Sequence, residues 1–161
     1  MTPTIHASAV LVGARAVLIR GPSGAGKSHL ALRLIAAADG PLRFVRLVSD
    51  DRTVVEAVGG RLVARPAPSL AGLIEVRGLG LRRLPYEPAA VVGLVVDLAD
   101  PWAERMPQDS ATAAVIAGIT LPRLGLAAGT DPLPVVAAAL AVPPADCVSG
   151  LASARVLEPT P

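Results

Sequence analysis

Cysteine occurs once in these 161 residues, at Cys147, so no intramolecular disulfide can form and no Cys/His spacing suits a structural zinc. Aromatic residues make up 2%, which leaves a core of Val, Leu, Ile and Ala and no stacking platforms for single-stranded nucleic acid. Long apolar runs are missing too. The most apolar stretch, Ala89 to Leu98, contains Asp97 and is too short to cross a bilayer. No basic segment precedes an apolar one at the N-terminus, so no secretory signal is read and a cytoplasmic protein is expected. Charge is sparse, 17% against 52% hydrophobic, which excludes a disordered chain. The formal charge of +2 is mild and the arginines are scattered, so neither nucleic acid nor membrane is expected as a partner.

Lysine is the rarest cation. Fourteen of the fifteen basic residues are arginine, and the one lysine is Lys27, in Gly21-Pro22-Ser23-Gly24-Ala25-Gly26-Lys27-Ser28. This segment fits the phosphate-loop pattern G-x-x-x-x-G-K-[ST] at every fixed position. Apolar Ala16 to Ile19 precedes it and the helical run His29 to Ile35 follows, the order that turns backbone N–H groups and a helix N-terminus onto phosphate oxygens. All eight residues are therefore nucleotide-binding candidates. Lys27 would reach the β- and γ-phosphates, and Ser28 would place its hydroxyl on Mg²⁺. ATP and Mg²⁺ are the expected cofactors.

The rest of the chain reads as one α/β domain with a mostly β core. Strands are expected over 5–12 and 16–20 as a hairpin, 44–49, 53–58 with 61–64 as a second hairpin, 91–98 and 119–126. Helices are expected over 28–38, stopping at Asp39-Gly40-Pro41, and over 133–141 after Asp131-Pro132. Ser69 to Leu73 could make one helical turn, and the glycines of Ile74 to Leu81 mark a loop. The domain spans 1–142, and the Pro-rich tail 143–161 is expected to be loosely ordered.

Phosphoryl transfer also needs a carboxylate for the acceptor's proton. Asp50-Asp51 ends an apolar strand, where a parallel α/β sheet opens its ligand crevice. One acid could serve the metal and the other the acceptor. Glu75, close to Arg77 in an apolar stretch, is a further metal candidate. Asp97 also ends a hydrophobic strand, but Leu98 continues the apolar pattern and Asp100-Pro101 looks like turn chemistry, which ranks it lower. His29 reads as a solvated helix residue and His6 as a structural histidine.

In order, Ile5-His6-Ala7-Ser8, the loop Gly21 to Ser28, Val48-Ser49-Asp50-Asp51, Leu73 to Gly80 and Glu104-Arg105 resemble the catalytic domain of HPr kinase/phosphorylase. The segment Glu75 to Leu81 is the specific one, since a generic phosphate-loop protein has no reason to carry it. The resemblance implies the HPr kinase/PEP carboxykinase-like fold, in a short form without the family's N-terminal domain. It implies transfer of phosphate from ATP to a serine of HPr or a paralogous phosphocarrier of the sugar phosphotransferase system. Removal of that phosphate by inorganic phosphate would release pyrophosphate. By position Asp51 would be base and acid, with Lys27 binding phosphate. Ser28, Glu75 and Asp50 would serve the metal, and His6 and Arg105 would complete the active site. Arg77, Gly78 and Gly80 would belong to an active-site loop, and a hexamer is implied. Leu121 to Gly125 only roughly matches the phosphorolysis loop, and 39–43 reads as an insertion. Two other functions compete: a kinase of a small hydroxylated metabolite, and a catalytically silent nucleotide-sensing domain.

Overall fold

The computed structural model describes residues 3–39, 42 and 44–141. The expected helix stop at Gly40-Pro41 and the tail 143–161 with Cys147 lie outside the described residues. Among the described residues ten strands and two helices follow one another: β1 (Thr4–Val12), β2 (Arg15–Arg20), α1 (Lys27–Ala36), β3 (Val45–Ser49), β4 (Arg52–Val58), β5 (Arg61–Pro66), β6 (Leu73–Val76), β7 (Gly80–Arg83), β8 (Ala90–Leu98), β9 (Ala113–Ile116), β10 (Ile119–Leu126) and α2 (Pro132–Ala141).

Two long strands organise everything else. Strand β1 pairs with β2 along one edge, and along the other with β4 near its start and β3 near its end. Strand β8 meets β5 at its start, runs parallel to β2 in the middle and pairs with β10 at its end. With β4 paired to β5, the five strands β1, β4, β5, β8 and β2 close a hydrogen-bonded circuit. Closure leaves these strands no continuous free edge to template aggregation.

The pleat sorts the aliphatic side chains into two cores. In β2, Ala16 and Leu18 enter the core enclosed by the sheets, while Val17 and Ile19 enter the one beneath α1. In β1, Ala7 and Ala9 take the first side and Val10 the second. In β8 a register shift opposite Ala16/Val17 resets the alternation, so Val92 and Val95 share the first core and Val96 and Leu98 the second. Helix α1 covers the second core with Leu30, Ala31 and Leu34, a single helical stripe. Asp131 accepts the Leu133 N–H at the start of α2 and pairs with Arg33 of α1, which ties the two helices.

The expected strands are present, with three differences. Ile74 to Leu81 is not a plain loop but the middle of a β6–β7 hairpin, in which Glu75 opposes Leu81. Alternation of Leu73, Ile74, Glu75 and Val76 with one buried residue, Ile74, was the signal, and the two glycines hid it. Strand β9 is too short and too alanine-rich to stand out, and pairing with β10 creates it. The helical turn before β6 lies at Pro68–Leu70, so Leu73 begins a strand.

A charge network closes the end of the sheet. Arg20 gives two 2.7 Å hydrogen bonds to Asp97, and Arg123 bonds Asp97 at 2.6 Å, Asp100 at 2.7 Å and the Ala111 carbonyl at 3.0 Å. Space there is full: a Cβ on Gly125 would overlap the Asp100 carboxylate. Burial opposes ionisation of Asp97, yet bonds and charges from Arg20 and Arg123 outweigh it and hold its carboxyl below the usual range. The Trp102 N–H, and then Arg123 against some burial, do the same for Asp100. Depressed carboxylate values add stability above their unfolded values that is lost as pH falls through the folded ones, roughly from pH 5 downward. Asp97→Asn is therefore expected to cost about 3 kcal/mol at neutral pH, by leaving two guanidinium groups short of a partner. The gap to the parent protein should close on acidification, as read from melting temperature against pH. A gap that stays constant would refute the assignment.

Candidate active site

The phosphate loop leaves β2 at Gly21, and α1 begins at Lys27 behind Gly26. Gly21 has φ 151° and sits against β8, where a Cβ would lie 2.9 Å from the Leu98 carbonyl oxygen. A side chain is excluded twice, by conformation and by space. Lys27 is buried, and its Nζ donates to the Gly21 and Pro22 carbonyls at 3.0 Å each. Burial pushes the Lys27 ammonium below its ordinary value, against the raising effect of Asp50 and Asp51. A desolvated cation within a ring of N–H groups is a strong attractor for phosphate.

The β3–β4 turn supplies the acids. Because β1 runs antiparallel to both β2 and β3, those two strands run in the same direction and end on the same side of the sheet. The expectation of a crevice at the end of β3 thus holds, although its hydrogen-bonded neighbour β1 is antiparallel. Asp51 adopts φ 64°, a left-handed conformation that aspartate tolerates better than most residues. The Arg52 N–H donates to the Asp50 carbonyl at 2.8 Å across this turn. Below it, Thr53 Oγ1 lies 2.7 Å from the Ala7 carbonyl and 3.0 Å from Ser49 Oγ, which pins the turn to β1.

The left-handed step sends the two carboxylates apart. Asp50 is 3% exposed and lies 2.8 and 2.9 Å from the Ser28 hydroxyl through its two oxygens. The Asp51 side chain is 61% exposed, and its Oδ1 lies 3.3 Å from His6 Nε2. The pair is thus divided, one acid turned inward to Ser28 and the other toward the open mouth.

His6, Ser23, Gly24, Gly26, Lys27, Ser28, Asp51, Glu75 and Arg77 are thereby brought around one cleft of about 600 Å³. Leu32, Val76 and His29 also line it. His29 is exposed as expected, yet it faces the cleft from the turn of α1 that follows Ser28. Glu75 reaches the cleft because its strand docks there, its own N–H donating to Asp50 at 3.2 Å. Among the described residues neither Glu75 nor Arg77 enters an ion pair, so the two are available to a ligand. Gly78 and Gly80 take positive φ in the hairpin turn and do not line the cleft. Arg105 lies exposed on the segment between β8 and β9, also outside the lining. Asp97 is fully engaged by arginines and takes no part.

A buried lysine in a glycine loop, a serine on a buried aspartate, and an exposed aspartate beside a histidine surround one cleft. Residues 1–84, which hold every one of these groups, match the family model of the HPr Serine kinase C-terminal domain. The chain belongs to this family. An HPr kinase/phosphorylase of Clostridium beijerinckii is 40% identical over 77 residues, covering 48% of this chain and 24% of that protein. One from Streptococcus thermophilus is 42% identical over 79 residues, with the same two shares. The matched region spans about a quarter of the length of these relatives. The HPr(Ser) kinase/phosphatase of Coxiella burnetii shares the fold, with a TM-score of 0.68 and 24% identity over 86% of this chain and 88% of that one. Family membership and fold agree, and both place this chain among α/β proteins with a mostly stranded core.

Proposed function

We propose that this chain is an ATP-dependent protein serine kinase acting on HPr or a paralogous phosphocarrier, and that it also runs the reverse phosphorolysis. The observation that carries the reading is the split pair: Asp50 bound to Ser28 inside, Asp51 beside His6 outside, in a cleft floored by Lys27. A protein-borne serine can approach the mouth where Asp51 is exposed, while the phosphates of ATP occupy the loop. Asp51 then takes the seryl proton in the forward direction and returns it in phosphorolysis. His6 at 3.3 Å can orient that carboxylate or share the proton. Pyrophosphate would remain on the loop, held by Lys27 and the backbone N–H groups.

The donor set suits Mg²⁺. Among the described residues no group of three or more His, Cys, Asp or Glu could cage an ion. Mg²⁺ in phosphoryl transfer instead takes one or two protein oxygens plus phosphates and water. Ser28 meets that need, because its proton is taken up by Asp50 and a lone pair is left for the ion. Ser28, Asp50 and Glu75 would hold it, and when bound it would neutralise charge developing on the phosphates.

Incubating the protein with labelled ATP and purified HPr should transfer label to a serine of HPr. Adding inorganic phosphate to phosphorylated HPr should release pyrophosphate. Label moving instead to a small hydroxylated metabolite, or no transfer despite ATP binding, would defeat this reading. Glu75→Gln should raise the Mg²⁺ concentration for half-maximal transfer by about tenfold. Both directions should respond alike, since both use the same metal-bound phosphate. An unshifted titration would return Glu75 to a structural role. No helix among the described residues is long and apolar enough to cross a membrane. A hexameric assembly and a cytoplasmic location belong to this reading by family likeness.

A further inference from the structure

We propose that Ser8, on β1, is a positioning residue that fixes the Asp50 carboxylate so that Ser28 presents its oxygen to Mg²⁺. The inference rests on the reading of Ser28 and Asp50 as metal-side groups.

Ser8 is wholly buried, and its hydroxyl donates to Asp50 Oδ1 at 2.6 Å. That bond is shorter than either contact between Asp50 and Ser28, at 2.8 and 2.9 Å. Short O–H···O⁻ bonds are the strong, charge-assisted ones. The Glu75 N–H fills a position on Oδ2 at 3.2 Å. Asp50 is thus held by three donors from three segments: β1, the first turn of α1, and β6. Two of these are fixed by main-chain pairing. Ser8 sits in the antiparallel register with β2, opposite Ile19, and Glu75 in the β6–β7 hairpin.

The Ser28 hydroxyl has one proton and two carboxylate oxygens within reach. Where that proton points decides where its lone pairs point. By engaging Oδ1, Ser8 fixes the rotation of the carboxylate about its Cβ–Cγ bond. Without Ser8 the carboxylate keeps only the Glu75 N–H and Ser28, so its rotation, and with it the direction of the Ser28 lone pairs, is no longer fixed. Ser8 lies two residues from His6 on the same strand, so their side chains share a face of the pleat: one near the mouth, the other at the base.

The test is calorimetric titration of ATP into the intact chain, in EDTA and at graded Mg²⁺. Ser8→Ala should raise the Mg²⁺ concentration that half-saturates the enhancement of ATP binding by about tenfold, the usual reach of an outer hydrogen bond to a metal site. ATP binding in EDTA should not change, which a merely structural defect would not spare. In an Asp50→Asn background Ser8→Ala should add nothing to the Mg²⁺ requirement. Ser8→Cys fills nearly the same space with a weak donor and serves if the alanine variant fails to fold. It should shift the titration the same way, by less. Superimposable Mg²⁺ titrations for parent and both Ser8 variants would overturn the assignment, as would an undiminished effect of Ser8→Ala in the Asp50→Asn background. A parent protein whose ATP affinity ignores Mg²⁺ would overturn the metal reading and this proposal with it.

Discussion

Asp51→Asn is expected to lower serine phosphorylation and its phosphorolysis together by about 10²- to 10⁴-fold, the range of a lost general base. Asparagine keeps the size of the side chain and tolerates the left-handed conformation at φ 64°, so the turn should survive. ATP affinity should barely move, because Asp51 faces the mouth while, on the proposed reading, Lys27 and the loop would hold the phosphates. Assaying both directions together with ATP titration checks this. Asp51→Val separates chemistry from strain: a β-branched residue at positive φ should lower the melting temperature as well. Wild-type turnover in either direction for Asp51→Asn, with Asp50→Asn inactive in both, would reverse the roles of the two acids.

Lys27→Ala is expected to cost about 10²- to 10³-fold in phosphoryl transfer, the scale of a removed preorganised charge contact. Its native bonds go to two loop carbonyls at 3.0 Å. Gly21 is half-buried and Pro22 exposed, so water can take the place of the ammonium at these carbonyls and the alanine variant should stay folded. Lys27→Arg should be nearly as poor, because a planar fork needs more room than a buried point donor occupies. Steady-state transfer rates and a thermal melt on both variants decide the matter. An arginine variant as fast as the parent would show that charge alone, and not the compact ammonium, is what the loop requires.

These expectations were differently legible in the sequence. The phosphate loop could be read outright, since its spacing, flanking strand and following helix are all local. The acids could be found as a pair but not separated. Only the left-handed turn at Asp51, and the hydroxyls of Ser8 and Ser28 that converge on Asp50, assign inside and outside. Ser8 itself carried no signal. A serine among alanines and valines looks like neutral filler until two strands and a helix are placed around it. Asp97 shows the opposite case. Its place at a strand end mimics a metal acid, and what removes it from contention is Arg123, which lies 26 residues later in the chain. His29 was read correctly as exposed, but helical phase alone did not reveal that the exposed side borders the cleft.

The closed circuit of strands has a consequence for how the chain divides its labour. Among the described residues, those lining the cleft all lie between His6 and Arg77, whereas β8, β9, β10 and α2 contribute none. Yet β8 stands between β2 and β5, and it feeds both cores, Val92 and Val95 the first and Val96 the second. Strand β8 is thus the keystone of a structure whose cleft lining, among the described residues, lies in the first half. Apart from the network of Asp97, Asp100 and Arg123, the obligations of the second half are of shape and oiliness, and many aliphatic sequences can meet them. The first half must keep particular atoms at particular points. A chain built this way can let one half drift while the other is held to the letter.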